Sequence, residues 1–284
     1  MTTAFVLSGG VSHGAIQVGM LQALAERGIR PDLVFGASVG ALNAAWVAGD
    51  GDLARLDELA DVWSSLRTRD VFPFRPLRGL LGFLGRRQSL VPADSLRSIV
   101  SANLRFDRLE DAPIPLCVIA TEVTSGREVA LVRGKAIDAI VASASIPGVL
   151  PPVEIDGQTL MDGGIVDNTP ISNAIAAGAS RIYVLPTGYA CDLARPPKSA
   201  LAISLQAISL LVEQRLISDV RELEHAVDLR VIPPPCPLDV SPADFSHGRE
   251  LIDRARVLAG SWLDAFDAGD AARPGHGMHP HLPA

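Results

Sequence analysis

Near the start of the chain, hydrophobic positions follow a strand-like pattern and then a helix-like one, and this order of patterns occurs twice. Residues 2–8 form a short apolar run that predicts a buried strand, and three glycines follow closely. Apolar residues then recur with helical period over 15–27. A second strand-like run at 32–37 leads into 41–48, which favours helix. Two strands joined by a helix are expected to be parallel, with a right-handed crossover.

The remaining pattern continues this alternation. Turn signals at Ser125-Gly126 and Asp156-Gly157 predict two hairpins. The further predicted helices cover 52–66, 93–103, 135–145, 170–177, about 200–225 and about 248–266, and the further predicted strands cover 114–123, 127–132, 153–155, 159–161, 181–186 and 229–232. This order predicts an α/β fold with a mostly parallel central sheet and helices on both faces. We expect one domain over 1–268 and a mobile tail over 269–284.

Composition and charge exclude several classes of protein. The 284 residues carry a net charge of -7, which argues against nucleic-acid binding because phosphate backbones require a basic surface. The three cysteines are far apart and lack C-x-x-C spacing, so we expect no disulfide framework, no zinc ribbon and a reducing compartment. No run reaches the roughly 18 apolar residues of a membrane span, and the first apolar run is too short for a signal peptide. We therefore expect a cytoplasmic protein.

The first candidate for chemistry is a G-x-S-x-G motif formed by Gly36, Ser38 and Gly40, placed between a predicted strand and a predicted helix. A serine aimed out of such a turn sits on strained backbone, and side chains in place of the glycines would clash there. This context favours Ser38 as a nucleophile. The alternative is a tight turn whose serine only caps the helix.

The second candidate is the glycine loop after the first strand, with Gly9, Gly10, Val11 and Gly14. Backbone N–H groups in such a loop form a concavity that binds an anion. A dinucleotide fingerprint would need a glycine at Val11 and an acidic residue near the end of the second strand, and the sequence has neither. The loop therefore favours an oxyanion hole over a nucleotide site.

A serine nucleophile also needs a base, and the residues leave two possibilities open. Asp162 stands before Gly163 and Gly164, in a turn that follows a predicted strand. Among the histidines, His247 is the reasonable candidate for a Ser-His-Asp triad, although it is more simply explained as part of a helix N-terminus. The sequence thus permits either a Ser38-Asp162 dyad or a triad that uses His247.

Taken together, these motifs resemble the patatin-like phospholipases, which are lipid acyl hydrolases with a Ser-Asp dyad. The resemblance covers 8–21, 36–45, 144–164 and 165–179 and, more loosely, 228–263. It implies a three-layer patatin-like fold, Ser38 as nucleophile and Asp162 as base, without metal or cofactor. It also implies an oxyanion hole built from the backbone N–H groups of Gly9, Gly10 and Val11. The chain departs from the pattern at Val11, where many members have glycine, and at His13, where many have arginine.

The resemblance implies an ester hydrolase acting on phospholipid or another acyl ester. A non-catalytic, lipid-binding regulatory member of the same fold remains an alternative. Residues 66–90 contain six arginines against one acid, interleaved with bulky apolar residues. This composition favours a lid or a docking surface for anionic membranes. Its alternative is an amphipathic connection packed on the core with its arginines in water.

Overall fold

The computed structural model describes residues 1–73, 89–188 and 200–269. These residues form an eight-stranded sheet. The strands are β1 (Thr3–Leu7), β2 (Leu33–Ala37), β3 (Leu116–Glu122), β4 (Glu128–Leu131), β5 (Val153–Ile155), β6 (Gln158–Asp162), β7 (Arg181–Leu185) and β8 (Asp228–Val231). Seven strands pair in the order β5-β6-β3-β2-β1-β7-β8, and β4 pairs with β3 outside this order. Strands β3, β2, β1, β7 and β8 run parallel, whereas β4, β5 and β6 form an antiparallel extension.

Helices cover both faces of this sheet, as the sequence pattern predicts. They are α1 (Gly14–Glu26), α2 (Val39–Asp50), α3 (Leu56–Ser65), α4 (Thr68–Val71), α5 (Asp94–Asn103), α6 (Ala136–Ser143), α7 (Ile171–Ala176), α8 (Ala200–Leu223) and α9 (Gly248–Asp267). The predicted helix at 52–66 begins later, because Leu53 has a positive φ of 62° that a helix does not permit. The α/β class and both predicted hairpins are confirmed.

Alternating side chains of the strands separate two apolar clusters. In β1, Phe5 and Leu7 belong to the cluster that α1, α2, α6 and α9 cover. Ala4 and Val6 point to the other face and pack in the cluster formed with α7 and α8. This alternation follows from the two-residue period of a strand, and it fixes the central strands between two layers of helices.

Cysteine chemistry corrects one expectation from the sequence. Cys117 is a buried free thiol, and burial raises its pKa to about 12. Cys236 is disulfide-bonded, so the expectation of no disulfide was wrong. A pairing created by the fold leaves no signature in sequence spacing, which is why the pattern did not reveal it.

None of the helices in the described residues combines sufficient length with sufficient apolar content to cross a bilayer.

Candidate active site

The register of the sheet places the carboxyl ends of β2 and β6 next to each other along one edge of β3, with β4 on the opposite edge. Ala37 of β2 pairs with Ile119, and Asp162 of β6 pairs with the next residue, Ala120. Because β2 and β6 run towards each other along this edge, Ser38, which follows Ala37, and Asp162 meet end to end, within side-chain reach. Strand pairing therefore brings together two residues that are 124 positions apart in the chain.

Ser38 occupies a strained turn between β2 and α2. Its φ of 53° and ψ of -127° are unfavourable for any residue with a side chain. Close packing on both sides maintains this conformation. A Cβ atom on Gly36 would lie 2.5 Å from the carbonyl oxygen of Gly40, and one on Gly40 would lie 2.1 Å from that of Leu7. The two motif glycines are therefore required by close backbone approach.

Ser38 and Asp162 are directly hydrogen-bonded. The Ser38 Oγ donates to Oδ2 of Asp162 at 2.7 Å, and Oδ1 of Asp162 accepts the N–H of Gly164 at 2.8 Å. Both side chains are buried. Burial raises the pKa of Asp162 to about 6, an effect that outweighs the opposite influence of the hydrogen bonds from Ser38 and Gly164. Above that pH the carboxylate is ionised and able to accept the serine proton.

A positioning residue that the sequence did not reveal lies beside this pair. The Ser143 Oγ accepts the backbone N–H of Ser38 at 2.9 Å and donates to the carbonyl oxygen of Ile119 at 2.6 Å. The hydroxyl thus links the serine turn to β3. Its place in the run Ala142-Ser143-Ala144-Ser145 carries no recognisable signal, because small residues are common near the end of a buried helix.

The glycine loop lies against Ser38, but its three predicted donors are not equivalent. The N–H of Gly9 already donates to Asn168, at 3.3 Å to the backbone carbonyl and 3.2 Å to the side-chain Oδ1. A Cβ on Gly9 would lie 2.9 Å from the Cβ of Ser38, so the backbone at Gly9 packs directly on the turn that contains Ser38. The amide of Gly9 therefore has a structural partner.

The other two amides are differently placed. The carbonyl oxygen of Gly9 accepts the Thr187 Oγ1 at 2.6 Å, and that of Gly10 accepts the N–H of His13 at 3.1 Å. Because C=O and N–H point in opposite directions in a trans peptide, these bonds turn the N–H groups of Gly10 and Val11 away from Thr187 and His13. Neither N–H has an acceptor among the described residues.

Val11 adopts an unusual backbone conformation. Its φ is 54°, which is a rare value for a β-branched residue and one that glycine adopts without strain. The strain is of order 1–3 kcal/mol. The chain therefore keeps the loop conformation despite the substitution, with the N–H of Val11 still available as a donor.

The two histidines considered from the sequence lie in different environments. His247 immediately precedes α9, with its Nδ1 3.0 Å from a carboxylate oxygen of Glu250 and its Nε2 3.7 Å from Asp244. Both ring nitrogens thus face surface carboxylates. His13 is half-buried, its Nε2 lies 2.9 Å from the carbonyl oxygen of Val240, and burial lowers its pKa. His13 therefore does not supply the permanent charge of an arginine.

An apolar cavity of about 100 Å³ opens beside Ser38. Side chains from α2, α3, α5 and α6 line it, and those of Val39, Leu42 and Trp46 lie on one face of α2, three and four residues apart. Phe245, stacked on Trp63, contributes to the lining from the loop before α9. A mainly hydrocarbon lining next to the serine suits an apolar ligand.

The chain matches the model of a known protein family. A family model described as patatin-like phospholipase matches residues 5–175, which contain Ser38, Asp162 and the glycine loop. The chain belongs to this family.

Several patatin-like relatives are similar over part of the chain. An uncharacterised NTE family protein of Mycobacterium tuberculosis is 36% identical over 170 residues, which are 60% of this chain and 44% of that protein. Lysophospholipase NTE1 of Candida glabrata is 31% identical over 191 residues, 66% of this chain and 10% of that protein. Patatin-like phospholipase domain-containing protein 7 of Rattus norvegicus is 30% identical over 187 residues, 65% of this chain and 13% of that protein. The chain thus spans less than half the length of these relatives.

Two solved structures are also similar. VipD from Legionella pneumophila has a TM-score of 0.46 and 15% identity, covering 92% of this chain and 67% of that one. Human GIVD cytosolic phospholipase A2 has a TM-score of 0.46 and 12% identity, covering 94% of this chain and 59% of that one.

The arginine-rich segment 66–90 of this patatin-like chain is only partly described. Residues 74–88, with four of its six arginines, lie outside the described residues, as do residues 270–284 of the tail. In the described part, Phe72 packs on Phe245 at the apolar cavity. A lid or an anionic docking surface at 66–90 stays a prediction.

Replacing Asp162 with Asn is expected to change the pH dependence of stability. Because the folded pKa of about 6 lies above the unfolded value near 3.9, this carboxyl stabilises the fold below about pH 4, and that contribution is lost as pH rises through 6. The free energy of unfolding of Asp162→Asn, relative to wild type, should therefore increase by about 2 kcal/mol between pH 4 and pH 8. Urea denaturation at both pH values measures it, and a difference independent of pH would contradict the assignment.

Proposed function

We propose that this chain is a serine-dependent lipid acyl hydrolase that uses a Ser38-Asp162 dyad. The observation that carries the proposal is the 2.7 Å hydrogen bond from the Ser38 Oγ to a buried carboxylate with a raised pKa. A general base works best when its pKa lies near the operating pH, which burial achieves here for an aspartate. Membership in the patatin-like phospholipase family supports the reaction class.

In the proposed first half-reaction, Asp162 takes the hydroxyl proton as the Ser38 Oγ attacks the ester carbonyl carbon. The carbonyl π-electrons move to oxygen, and the oxyanion is stabilised by the free N–H groups of Gly10 and Val11. We assign these two amides to the oxyanion hole and assign Gly9, whose N–H is bonded to Asn168, to loop packing. The intermediate collapses, the alcohol leaves with the proton from Asp162, and Ser38 remains acylated.

The second half-reaction uses the same groups. Asp162 removes a proton from a water molecule, whose oxygen attacks the acyl carbon. A second oxyanion forms at the same two amides and collapses with cleavage of the bond to the Ser38 Oγ. The serine regains its proton from Asp162, and the carboxylic acid is released. This cycle uses one base and two amide donors, so it needs neither metal nor cofactor to balance its protons and charges.

The substrate class follows from the apolar cavity beside Ser38. Its lining from α2, α3 and α5 suits the hydrocarbon chain of an acyl group, with the ester carbonyl at Ser38. The names of the relatives, lysophospholipase and patatin-like phospholipase domain-containing protein, agree with a lipid ester. We propose a phospholipid or another carboxylic acyl ester as substrate.

The two competing hypotheses lack comparable support. A triad would need His247 at Ser38, but both ring nitrogens of His247 face Asp244 and Glu250. A purely regulatory lipid-binding protein would not need the buried carboxylate beside the serine, since an ionised buried group destabilises the fold. A Ser38-Asp162 dyad agrees with the contacts of His247 and gives the buried carboxylate of Asp162 a role.

Variants of the dyad test the proposal directly. Ser38→Ala and Asp162→Asn should each lower kcat/KM for a p-nitrophenyl ester by about 10³-fold or more, because nucleophile and base act in the same step. Circular dichroism should show that both variants are folded. His247→Ala is the matched control and should retain activity. Loss of activity in His247→Ala together with full activity in Asp162→Asn would restore the triad.

Removing the hydroxyl of Thr187 tests the proposed oxyanion hole. Thr187→Val keeps the shape of the side chain but deletes the 2.6 Å hydrogen bond that orients the Gly9-Gly10 peptide. We expect kcat to fall by about 10–100-fold with little change in KM, because the amides act mainly on the transition state. Thr159→Val, on the exposed hairpin strand β6, is the control. An unchanged kcat in Thr187→Val would exclude the assignment of the Gly10 amide.

A further inference from the structure

Helix α8 is much longer than the strands it connects. Its 24 residues, Ala200–Leu223, span about 36 Å, whereas β7 and β8 have five and four residues and cover about 17 Å at most. Because β7 and β8 are parallel, α8 must run from the carboxyl edge of the sheet back to the amino edge. About half of the helix is therefore not needed for the crossover.

The burial of its side chains shows that the N-terminal half of α8 is the part not needed for the crossover. Toward the C-terminus, Leu216, Ile217 and Val220 are buried in the cluster on the sheet. Toward the N-terminus, four large apolar side chains are exposed, by 55%, 48%, 45% and 71%: Ile203, Ile208, Leu210 and Leu211. The sequence contains no charged residue from 200 to 212, which we call the apolar half of α8. A helix that only covers a sheet presents polar residues to water, so this half does not have the pattern of a covering helix.

The apolar half lies toward the same edge of the sheet as the dyad. Arg215 and Asp219 interact electrostatically with Asp167, which follows Asp162 by five residues. Residues 200–212 precede Arg215 in a helix that starts on the carboxyl side, so they extend beyond the level of Asp167. Ser38 and the glycine loop follow β2 and β1 at that carboxyl edge.

We propose that the apolar half of α8 docks on a lipid surface by insertion of its exposed aliphatic side chains, which include Ile208 and Leu211. The choice of lipid as partner rests on the proposed function, since the exposed side chains lie toward the carboxyl edge of the sheet, which also holds Ser38. A second copy of the chain fits less well. Four aliphatic side chains offer a few hundred Å² at most, against the roughly 800 Å² per partner of a standard interface.

The absence of charge in residues 200–212 distinguishes docking through α8 from docking through the arginine-rich segment 66–90. Insertion of aliphatic side chains depends on buried apolar area and not on headgroup charge. Docking through the arginines of 66–90 would instead require anionic lipid and weaken with salt. Binding to zwitterionic vesicles that persists in high salt therefore separates the two surfaces.

Vesicle partitioning of the Ser38→Ala protein tests the inference without catalysis. The probe is phosphatidylcholine vesicles, at about 0.1 M and about 1 M salt, with bound protein measured by co-sedimentation. We expect the pair Ile208→Ser and Leu211→Ser to lower the partition coefficient at least about tenfold at both salt concentrations. The matched control is Val257→Ser with Leu258→Ser, two exposed apolar residues of α9.

The outcomes distinguish this inference from the proposed function. Unchanged partitioning of the α8 variant would overturn the inference. So would a change from dimer to monomer by light scattering without loss of lipid binding, because the face would then join two copies. With Ser38 intact, the α8 variant should keep turnover of a soluble short-chain ester and lose turnover of vesicle lipid. Absence of all ester turnover would reject the proposed function, while the partitioning of the Ser38→Ala protein would still test the docking surface.

Discussion

The hydrogen bond between Ser38 and Asp162 depends on a single strand, β3. Ser38 follows β2, and Asp162 ends β6, on the same edge of β3, so a change of register in either pairing would separate the two residues. Ser143 strengthens this dependence, since its hydroxyl connects the backbone of Ser38 to that of Ile119 in β3. The antiparallel extension of the sheet is therefore part of the site, because β6 ends in Asp162.

The site also concentrates unfavourable features that the rest of the fold must offset. Ser38 and Val11 have positive φ values, and Asp162 is a buried carboxylate with a raised pKa. Each feature lowers stability by itself, and the buried clusters on both faces of the sheet stabilise the turn and loop that contain them. Such strain is expected where backbone must hold reacting groups in place before substrate arrives.

Local features were predictable from the sequence, and distant contacts were not. The strand, turn and helix around Ser38 follow from neighbouring residues, so the motif could be placed correctly. The choice between Asp162 and His247 remained open because the serine's partner is set by strand pairing and not by spacing. The bond from Gly9 to Asn168 was invisible for the same reason, and so was the disulfide at Cys236. Helix α8 was predicted, but its exposed half depends on how far it extends beyond the sheet.

The proposed function requires that Asp162 activates Ser38 as a nucleophile. The most direct test is the rate at which a fluorophosphonate labels the protein between pH 4 and pH 8, with the modified residue identified by mass spectrometry. We predict a single modification at Ser38, a rate that rises with pH and levels off above about 6, and at least a 100-fold slower reaction in Asp162→Asn. Labelling of another serine, or an equal rate in Asp162→Asn, would contradict this prediction.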